Sequence, residues 1–335
     1  YKLVLKIFIL FLYIKCISHP SCPQVFGRAI HALARISDEF WFDPTEKGLA
    51  LKSVNSSMSA YACIFFSSMF FQHYCRTAMT ILHSLLQSVL PVFRCLNTLE
   101  RNVEKCSVYT NLNECYVVFQ LFCRHGIVKT HNLAFQECEP LQAVFARHMC
   151  PNVLKVQSRV LSDMMIHFPT YQEEVTLAVT PIQVCFKSYS EEEMADFPKA
   201  MHTKIHLNPG EFDYFQVGVD SEITFCLKEL RKTVPPTFSP KVHTQHRHLP
   251  VAFFMEDMMV EASFVLATLA DIEDRTSSQQ SAFNNSLEYS ISQFHSLFFG
   301  AVSSKQQDVL HAFHSLATAS DTDEDFENGQ LSQTF

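Results

Sequence analysis

One order of segments occurs twice in this chain of 335 residues. Each copy begins with an amphipathic helix, continues through short strands and a second helix, and ends in further strands. The first copy begins near Val25 and the second near Gln157, with a connector between them. A repeated unit of this kind predicts a pseudo-symmetric architecture of two related domains.

Helices are predicted where apolar residues recur every three or four positions. In VFGRAIHALARI, Phe26, Ile30 and Leu33 share one face, with arginines opposite. The later predicted helices are LLQSVLPVFRCLNTL, QSRVLSDMMIHF and LKELRKT. Pro91 is expected to bend the first of these, because proline has no N–H for the helical ladder.

Short segments rich in β-branched and aromatic residues predict strands between the helices. They are EFWFD, LALKSVN, AYACIFF, CYVVFQLFC, IVKTHNLAF, EVTLAVT, IQVCFKSY, MHTKIHL, EFDYFQV, SEITF, PVAFFM and VEASFVLATL. Residues 124–126 predict a hairpin turn. The expected fold class is therefore α+β.

Composition argues against several functional classes. None of the seven glycines belongs to a phosphate-binding GxGxxG or GxxxxGK loop. The twelve cysteines lack the spacing of a disulfide framework, which is typical of a nuclear or cytosolic protein. No catalytic motif is recognisable, so neither an enzyme nor a cofactor is predicted. His243, His246 and His248 have no carboxylate or Cys at ligand spacing, so no metal site is predicted.

The C-terminal segment is rich in Ser, Gln and Asn and is predicted to be disordered. In LATASDTDEDFEN, each of three hydroxyl residues has an acidic residue three positions later, which acidophilic kinases favour. These candidate phosphoacceptors are Thr318, Ser320 and Thr322, with Ser320 preferred. Three more precede Gln, as damage-response kinases require: Ser278, Ser292 and Ser332. The alternative is an acidic tail that only improves solubility.

An apolar segment precedes the acidic one. FHSLFFG is predicted to dock on a partner or on the body of the protein, and an incidental apolar patch is the alternative. The residues expected to make this contact are Phe294, Leu297, Phe298 and Phe299.

Several blocks, in order, resemble one protein family: GLALKSVNSSMSAYACIFF, FRCLNTLERNVEKC, RHGIVKTHNLAFQECEPLQAVF, EITFCLKEL, ASFVLATLAD and SLFFGAVSS. They resemble the Rad-nine checkpoint clamp subunit, most closely its B paralogue, over roughly residues 25–232 and 250–275 and again in the tail from Phe294. The resemblance implies the DNA sliding clamp fold of proliferating cell nuclear antigen. That fold has two pseudo-repeated domains of antiparallel sheet, with helices lining the DNA face.

The resemblance also implies a division of the chain. The expected parts are a divergent apolar segment at 1–24, clamp domain 1 at 25–137, a connector at 138–155, clamp domain 2 at 156–272 and a disordered, phosphorylatable tail at 273–335.

A non-enzymatic subunit of the nuclear, heterotrimeric nine-one-one checkpoint clamp is what the resemblance implies. Its expected partners are the Rad-one and Hus-one clamp subunits, a checkpoint clamp loader, a tandem-BRCT scaffold and double-stranded DNA bound without sequence specificity, with no membrane. Cations on the polar faces of the predicted helices are then expected to face DNA: Arg28, Arg35, Arg94, Arg159, Lys228, Arg231 and Lys232. Taken alone, such residues also fit ordinary solvated helix faces.

Three segments depart from the family pattern. Residues 1–24 carry an apolar run in place of the opening strand, and residues 75–84 replace a longer loop and strand. Residues 233–250 place four prolines where the family has a strand. The sheets of both domains are therefore expected to be incomplete.

These departures leave two alternatives open. One is a regulatory isoform that binds checkpoint partners through its tail without encircling DNA. The other is a secreted or membrane-tethered protein, because Lys2, Lys6 and the apolar residues after them fit a signal peptide.

Overall fold

The computed structural model of the chain describes residues 12–16, 22–76, 81–111, 116–138, 145, 147–189, 202–233, 240–244 and 249–269. In these residues the chain forms nineteen strands and five α-helices. The helices are α1 (Cys22–Leu33), α2 (Leu86–Val89), α3 (Leu96–Asn102), α4 (Ser158–Ile166) and α5 (Leu227–Thr233).

The strands of the first half include a meander and a terminal hairpin. They are β1 (Leu12–Cys16), β2 (Glu39–Thr45), β3 (Gly48–Val54), β4 (Ala60–Ser67), β5 (Phe71–Arg76), β6 (Ile81–Leu85), β7 (Val103–Asn111), β8 (Tyr116–Cys123), β9 (Val128–Ala134) and β10 (Gln136–Cys138).

The strands of the second half follow a closely similar order. They are β11 (Asn152–Lys155), β12 (Glu174–Val179), β13 (Val184–Ser188), β14 (Lys204–Leu207), β15 (Tyr214–Gln216), β16 (Ser221–Cys226), β17 (Lys241–Thr244), β18 (Val251–Glu256) and β19 (Val260–Leu266).

Three antiparallel sheets result from these strands. The first has the order β5-β1-β7-β8-β9, and the third has the order β14-β13-β12-β16. The second has ten strands in the order β10-β6-β2-β3-β4-β19-β18-β17-β11-β15. Since β4 belongs to the first half and β19 to the second, this sheet continues from one half of the chain into the other.

The helices of both halves cover one face of the ten-stranded sheet. Phe26 of α1 packs on Phe66 of β4 with ring centroids 5.1 Å apart, and Leu161 of α4 lines a small cavity together with Phe253 of β18. These side chains belong to one continuous hydrophobic core. Burial of this apolar surface is the main stabilising contribution to the fold.

The sequence patterns predicted these helices and their buried faces correctly. Phe26, Ile30 and Leu33 are each at most 2% exposed. The predicted second helix is divided into α2, a 3-10 turn at Leu90–Phe93, and α3, and Pro91 lies in that turn. Every predicted strand has a counterpart in the observed sheets.

The expectation that residues 1–24 and 233–250 contribute no strand to the sheets is wrong for both segments. Residues 12–16 form β1, which pairs with both β5 and β7, so part of the apolar run supplies a central strand. In the proline-rich segment, β17 begins after Pro240 and ends before Pro250, and it pairs with β11 and β18. No proline occupies the β17 ladder itself, which is why the strand is compatible with this sequence.

The shortened segment after Tyr74 also contains strand residues. β5 continues to Arg76, and β6 pairs with β2 and β10. Residues 77–80 lie outside the described part of the chain.

Candidate nucleic-acid interface and subunit edges

Four of the predicted DNA-facing cations project into solvent from the helices. Arg28 on α1, Arg94 after the 3-10 turn and Lys228 on α5 are exposed. Arg159 on α4 is 89% exposed and lies 3.8 Å from Asp163. An ion pair this exposed contributes little, so Arg159 remains accessible to an anion.

The other three predicted cations have partners in the protein, although Arg35 itself is exposed. Arg231 donates hydrogen bonds to backbone carbonyls at the end of α4, and Arg35 donates to the carbonyl of Arg231. Lys232 lies 3.0 Å from the carboxylate of Glu229, which is buried. Arg231 and Lys232 are therefore partly buried with protein partners, whereas the other predicted cations of the helical layer are exposed.

Arg101 is an exposed cation in the last turn of α3 that the sequence patterns did not identify. α3 begins at Leu96, after the 3-10 turn that contains Pro91. The helical spacing of apolar and polar residues before this turn therefore does not continue into α3. The position of Arg101 on the helix face therefore could not be extrapolated from the sequence.

Six strands have only one neighbouring strand among the described residues, namely β5, β9, β10, β14, β15 and β16. Of these, β9 and β14 correspond to the strands β19 and β4, which pair with each other inside the ten-stranded sheet. β9 is the last strand of the first sheet and β14 the first strand of the third sheet. In β9, Ile127 immediately before the strand and Val128 within it are 53% and 51% exposed. Such edges offer backbone donors and acceptors to a strand from another chain.

The N–H groups of β9 alternate between β8 and the open edge. The N–H of Cys123 donates to the carbonyl of Ile127 at 2.8 Å, which marks residues 123 and 127 as a hydrogen-bonded pair. Gln120 and Thr130 are opposite each other in the register, and they fall on a non-hydrogen-bonded pair. The N–H of Thr130 therefore points away from β8, towards the edge.

The other face of the ten-stranded sheet contacts residues at the end of the connector. The guanidinium of Arg147 lies 3.8 Å from the ring centroid of Phe254 and forms an ion pair with Glu256. The Phe145 and Phe254 rings are 5.7 Å apart. These contacts attach the connector to β18.

His243 on β17 is beside this attachment, with its ring 4.9 Å from that of Phe254. Burial, together with the positive charges of Arg147 and Lys241, lowers the pKa of His243 to about 4. For Glu256, burial opposes ionisation, but Lys241 and Arg147 outweigh it and lower the pKa of the carboxyl. At neutral pH the cluster therefore holds a neutral imidazole and a carboxylate.

Several predicted sites lie outside the described residues. They are the phosphoacceptors Ser278, Ser292, Thr318, Ser320, Thr322 and Ser332 and the docking residues Phe294, Leu297, Phe298 and Phe299. His246 and His248, for which no site is predicted, also lie outside the described residues. In the described part, no three His, Cys, Asp or Glu side chains are grouped as metal ligands would be. None of the described helices is both long enough and apolar enough to cross a membrane.

Solved structures with the same arrangement define the class of fold. The chain is similar to PCNA from Thermococcus kodakaraensis, with a TM-score of 0.63 and 12% identity over 77% of this chain and 100% of that one. It is also similar to a chain of the PCNA2–PCNA3 complex from Sulfolobus tokodaii, with a TM-score of 0.58 and 15% identity over 77% of this chain and 100% of that one. The protein therefore has the sliding clamp fold.

Sequence comparisons give the family within this fold. The family model for Rad9 matches residues 26–269, so the chain belongs to the Rad9 family. It is 26% identical over 220 residues to the "cell cycle checkpoint control protein Rad9" of Drosophila melanogaster, covering 63% of this chain and 46% of that protein. It is 26% identical over 286 residues to the "DNA repair protein rad9" of Schizosaccharomyces octosporus, covering 72% of this chain and 66% of that protein. The chain thus spans about half to two thirds of the length of these relatives.

Proposed function

We propose that the chain is a non-enzymatic subunit of a heterotrimeric DNA-damage checkpoint clamp, and that it encircles DNA in the nucleus together with the Rad-one and Hus-one subunits. The observation that carries this proposal is the pairing of β19 with β4. In this pairing, β19 is the second strand of the β18–β19 hairpin that ends the second half. β4 is the third strand of the β2–β3–β4 meander in the first half. The repeat contains one more pair of strands with the same roles, β9 and β14, and in the described part of the chain both are sheet edges.

A ring follows if the same pairing is repeated between subunits. β9 is the second strand of the β8–β9 hairpin of the first half, and β14 is the third of the successive strands β12, β13 and β14 of the second half. β9 and β14 cannot pair with each other unless the chain closes on itself. Each can instead form backbone hydrogen bonds with the complementary edge strand of a neighbouring subunit. Such a head-to-tail contact generates a closed ring when its rotation closes.

The helices supply the surface that would face DNA. Arg28, Arg94, Arg159 and Lys228 are exposed on the helical layer, and Arg101 adds a fifth cation. Phosphate attraction of this kind does not depend on sequence and weakens steeply with salt. It therefore supports a clamp that moves along DNA after a checkpoint clamp loader has placed it there.

In this proposal the tail provides the checkpoint signal. A phosphate on Ser320 within SDTDED adds about two negative charges and three acceptor oxygens. That chemistry fits the basic phosphate pocket of a tandem-BRCT scaffold, whose recruitment leads to kinase activation. The supporting observation is the acidic sequence around Ser320.

Co-expression with the two partner subunits tests the ring. A stable complex with one copy of each subunit is expected. If a folded chain fails to join them, the ring proposal is wrong. The regulatory isoform that binds checkpoint partners through its tail alone then becomes the better account.

A further inference from the structure

We infer that Arg231 and Arg35 are positioning residues that join three helix ends across the two halves, and that Arg231 does not contact DNA. The inference rests on the proposed function, because it concerns how the DNA-facing helices are held. It also changes the role that the sequence patterns predict for Arg231.

The C-terminal ends of α4 and α5 and the turn that follows α1 converge at this point. The carbonyls of Met165, Phe168 and Pro169 belong to the last turn of α4 and the residues after it, and the carbonyl of Arg231 is in the last turn of α5. Helix C-termini carry partial negative charge and carbonyls without helical partners. Bringing such ends together is unfavourable unless cationic donors lie between them.

Arg231 supplies the first of these donors. Its Nη2 lies 3.0 Å from the Met165 carbonyl oxygen, 2.8 Å from that of Phe168 and 3.4 Å from that of Pro169. The contacts are partly buried, so water competes with them less than at the surface. A charged donor shared among carbonyls gives stronger hydrogen bonds than a neutral one.

Arg35 supplies the second donor and connects the halves. It follows α1, and its Nη2 donates to the carbonyl oxygen of Arg231 at 2.9 Å. α1 belongs to the first half and α5 to the second, so this bond crosses between the repeats. Within the first half, His31 Nε2 is similarly 2.9 Å from the carbonyl oxygen of Phe93.

These contacts give the cations of the helical layer two different roles, positioning the helices and contacting DNA. The charge of Arg231 is offset locally by the helix ends that it binds, so it adds little attraction for phosphates. The exposed Arg28 and Lys228, on the two helices that Arg35 joins, remain available to DNA. Holding α1 and α5 in fixed orientation keeps both cations in one arrangement, which strengthens binding without adding a contact.

Salt dependence of DNA binding distinguishes a contact from a positioning residue. The slope of log K against log salt concentration falls by about 0.9 for each phosphate contact removed. The experiment compares wild-type, Arg231→Ala and Arg28→Ala chains in the assembled three-subunit ring on a short duplex, below the melting temperature of each. Arg28→Ala is the matched control and is expected to lower the slope by about 0.9.

For Arg231→Ala we expect an unchanged slope, an affinity at least roughly threefold lower at fixed salt, and a lower melting temperature. A slope that falls as it does for Arg28→Ala would overturn the inference. So would unchanged affinity with lower stability, because Arg231 would then stabilise the fold without positioning the DNA face. If the wild-type ring does not bind DNA at all, the proposed function is wrong, and this result is distinguishable from a failure of the inference about Arg231.

A measurement on the wild-type ring covers the case in which Arg231→Ala does not fold. Phenylglyoxal modifies accessible guanidinium groups, and mass spectrometry locates the products. Arg28 and Arg94 are expected to react readily and to be protected by added DNA. Arg231 is expected to react slowly with and without DNA, whereas ready reaction that DNA suppresses would contradict the assignment.

Discussion

Val260 of β19 lies opposite Phe66 of β4, and this pair begins a seven-residue ladder that ends at Leu266 and Ala60. The ladder joins the two halves of the chain into one ten-stranded sheet. It joins β19, from the hairpin of the second half, to β4, from the meander of the first half. In the described part of the chain, β9 and β14, which have the same places in the other halves, are sheet edges. The proposed ring uses the same kind of pairing between subunits.

The first prediction concerns the open edge of β9. Thr130→Pro removes an N–H that points away from β8, and proline cannot donate to a neighbouring strand. We expect co-purification with the partner subunits to fall at least roughly tenfold, while unfolding of the isolated chain in urea changes little. Thr130→Ala keeps the donor and is the matched control. Equal recovery of the two variants would mean that this edge is not a subunit interface.

The second prediction concerns the close approach of Gly48 to β4. A Cβ atom at Gly48 would lie 2.0 Å from the carbonyl oxygen of Phe66, so the backbone must shift to accommodate alanine. Gly48→Ala is expected to lower the free energy of unfolding by about 2 to 3 kcal/mol. A Cβ at Gly210 would meet no atom within 4 Å, so Gly210→Ala should stay within about 0.5 kcal/mol of wild type. Similar urea midpoints for the two variants would contradict this packing.

The third prediction concerns the buried amide of Asn152. Its Nδ2 donates to the Val219 carbonyl at 2.8 Å and to the Ser221 hydroxyl at 3.0 Å. Its Oδ1 accepts from the N–H groups of Gly218 and Val219 at 3.0 and 3.1 Å. Asn152 thereby fixes the loop between β15 and β16 against β11.

Asn152→Ala removes the partner of the partly buried N–H and carbonyl groups of Val219 and one of the two acceptors of the Gly218 N–H, and should cost about 2 to 4 kcal/mol of unfolding free energy. Asn97, exposed on α3, provides the control, since Asn97→Ala removes no buried contact. Denaturant unfolding of both variants measures the difference. A loss below about 0.5 kcal/mol for Asn152→Ala would show that water replaces the amide.

The fourth prediction is a pH dependence of stability that originates at His243. The pKa of its imidazole falls from its ordinary value of 6.5 to about 4 in the folded chain, because of burial and the nearby Arg147 and Lys241. The unfolded chain therefore binds this proton first as the pH falls. The contribution of neutral His243 to the free energy of unfolding is therefore complete above about pH 6.5 and is lost progressively as the pH falls towards 4.

His243 is only partly buried, so solvent screening reduces the effect. Between pH 7 and pH 5 the wild-type chain should lose about 1 kcal/mol more unfolding free energy than His243→Gln. Urea unfolding at the two pH values gives both numbers. Parallel losses in the two chains would show that His243 titrates normally in the fold.

Sequence patterns predict the elements in which apolar residues recur with regular spacing or in which β-forming residues form an unbroken run. α1 was identifiable because Phe26, Ile30 and Leu33 recur with helical spacing, and β4 because AYACIFF is uniformly β-forming. β7 was missed, and its pairing with β8 shows the reason. The register shifts between Val103 and Lys105, so the alternation of buried and exposed residues is interrupted at the start of the strand.

The candidate DNA face was only partly predictable for a different reason. Helical periodicity places a cation on a polar face, but it does not show whether another helix ends beside it. Arg231 and Lys228 belong to the same short helix, yet Arg231 binds carbonyls in the last turn of α4 and just after it, whereas Lys228 is exposed. That distinction depends on how the two halves pack, which a local pattern does not contain.

Retention on closed DNA tests the proposed clamp most directly. The assembled three-subunit ring is loaded by the checkpoint clamp loader onto a nicked circular plasmid, and the complex is then isolated at moderate salt. Cutting the plasmid once should release the ring, because a topologically linked clamp slides off a free end. Equal retention on cut and uncut plasmid would contradict encirclement and would indicate ordinary binding to the DNA surface.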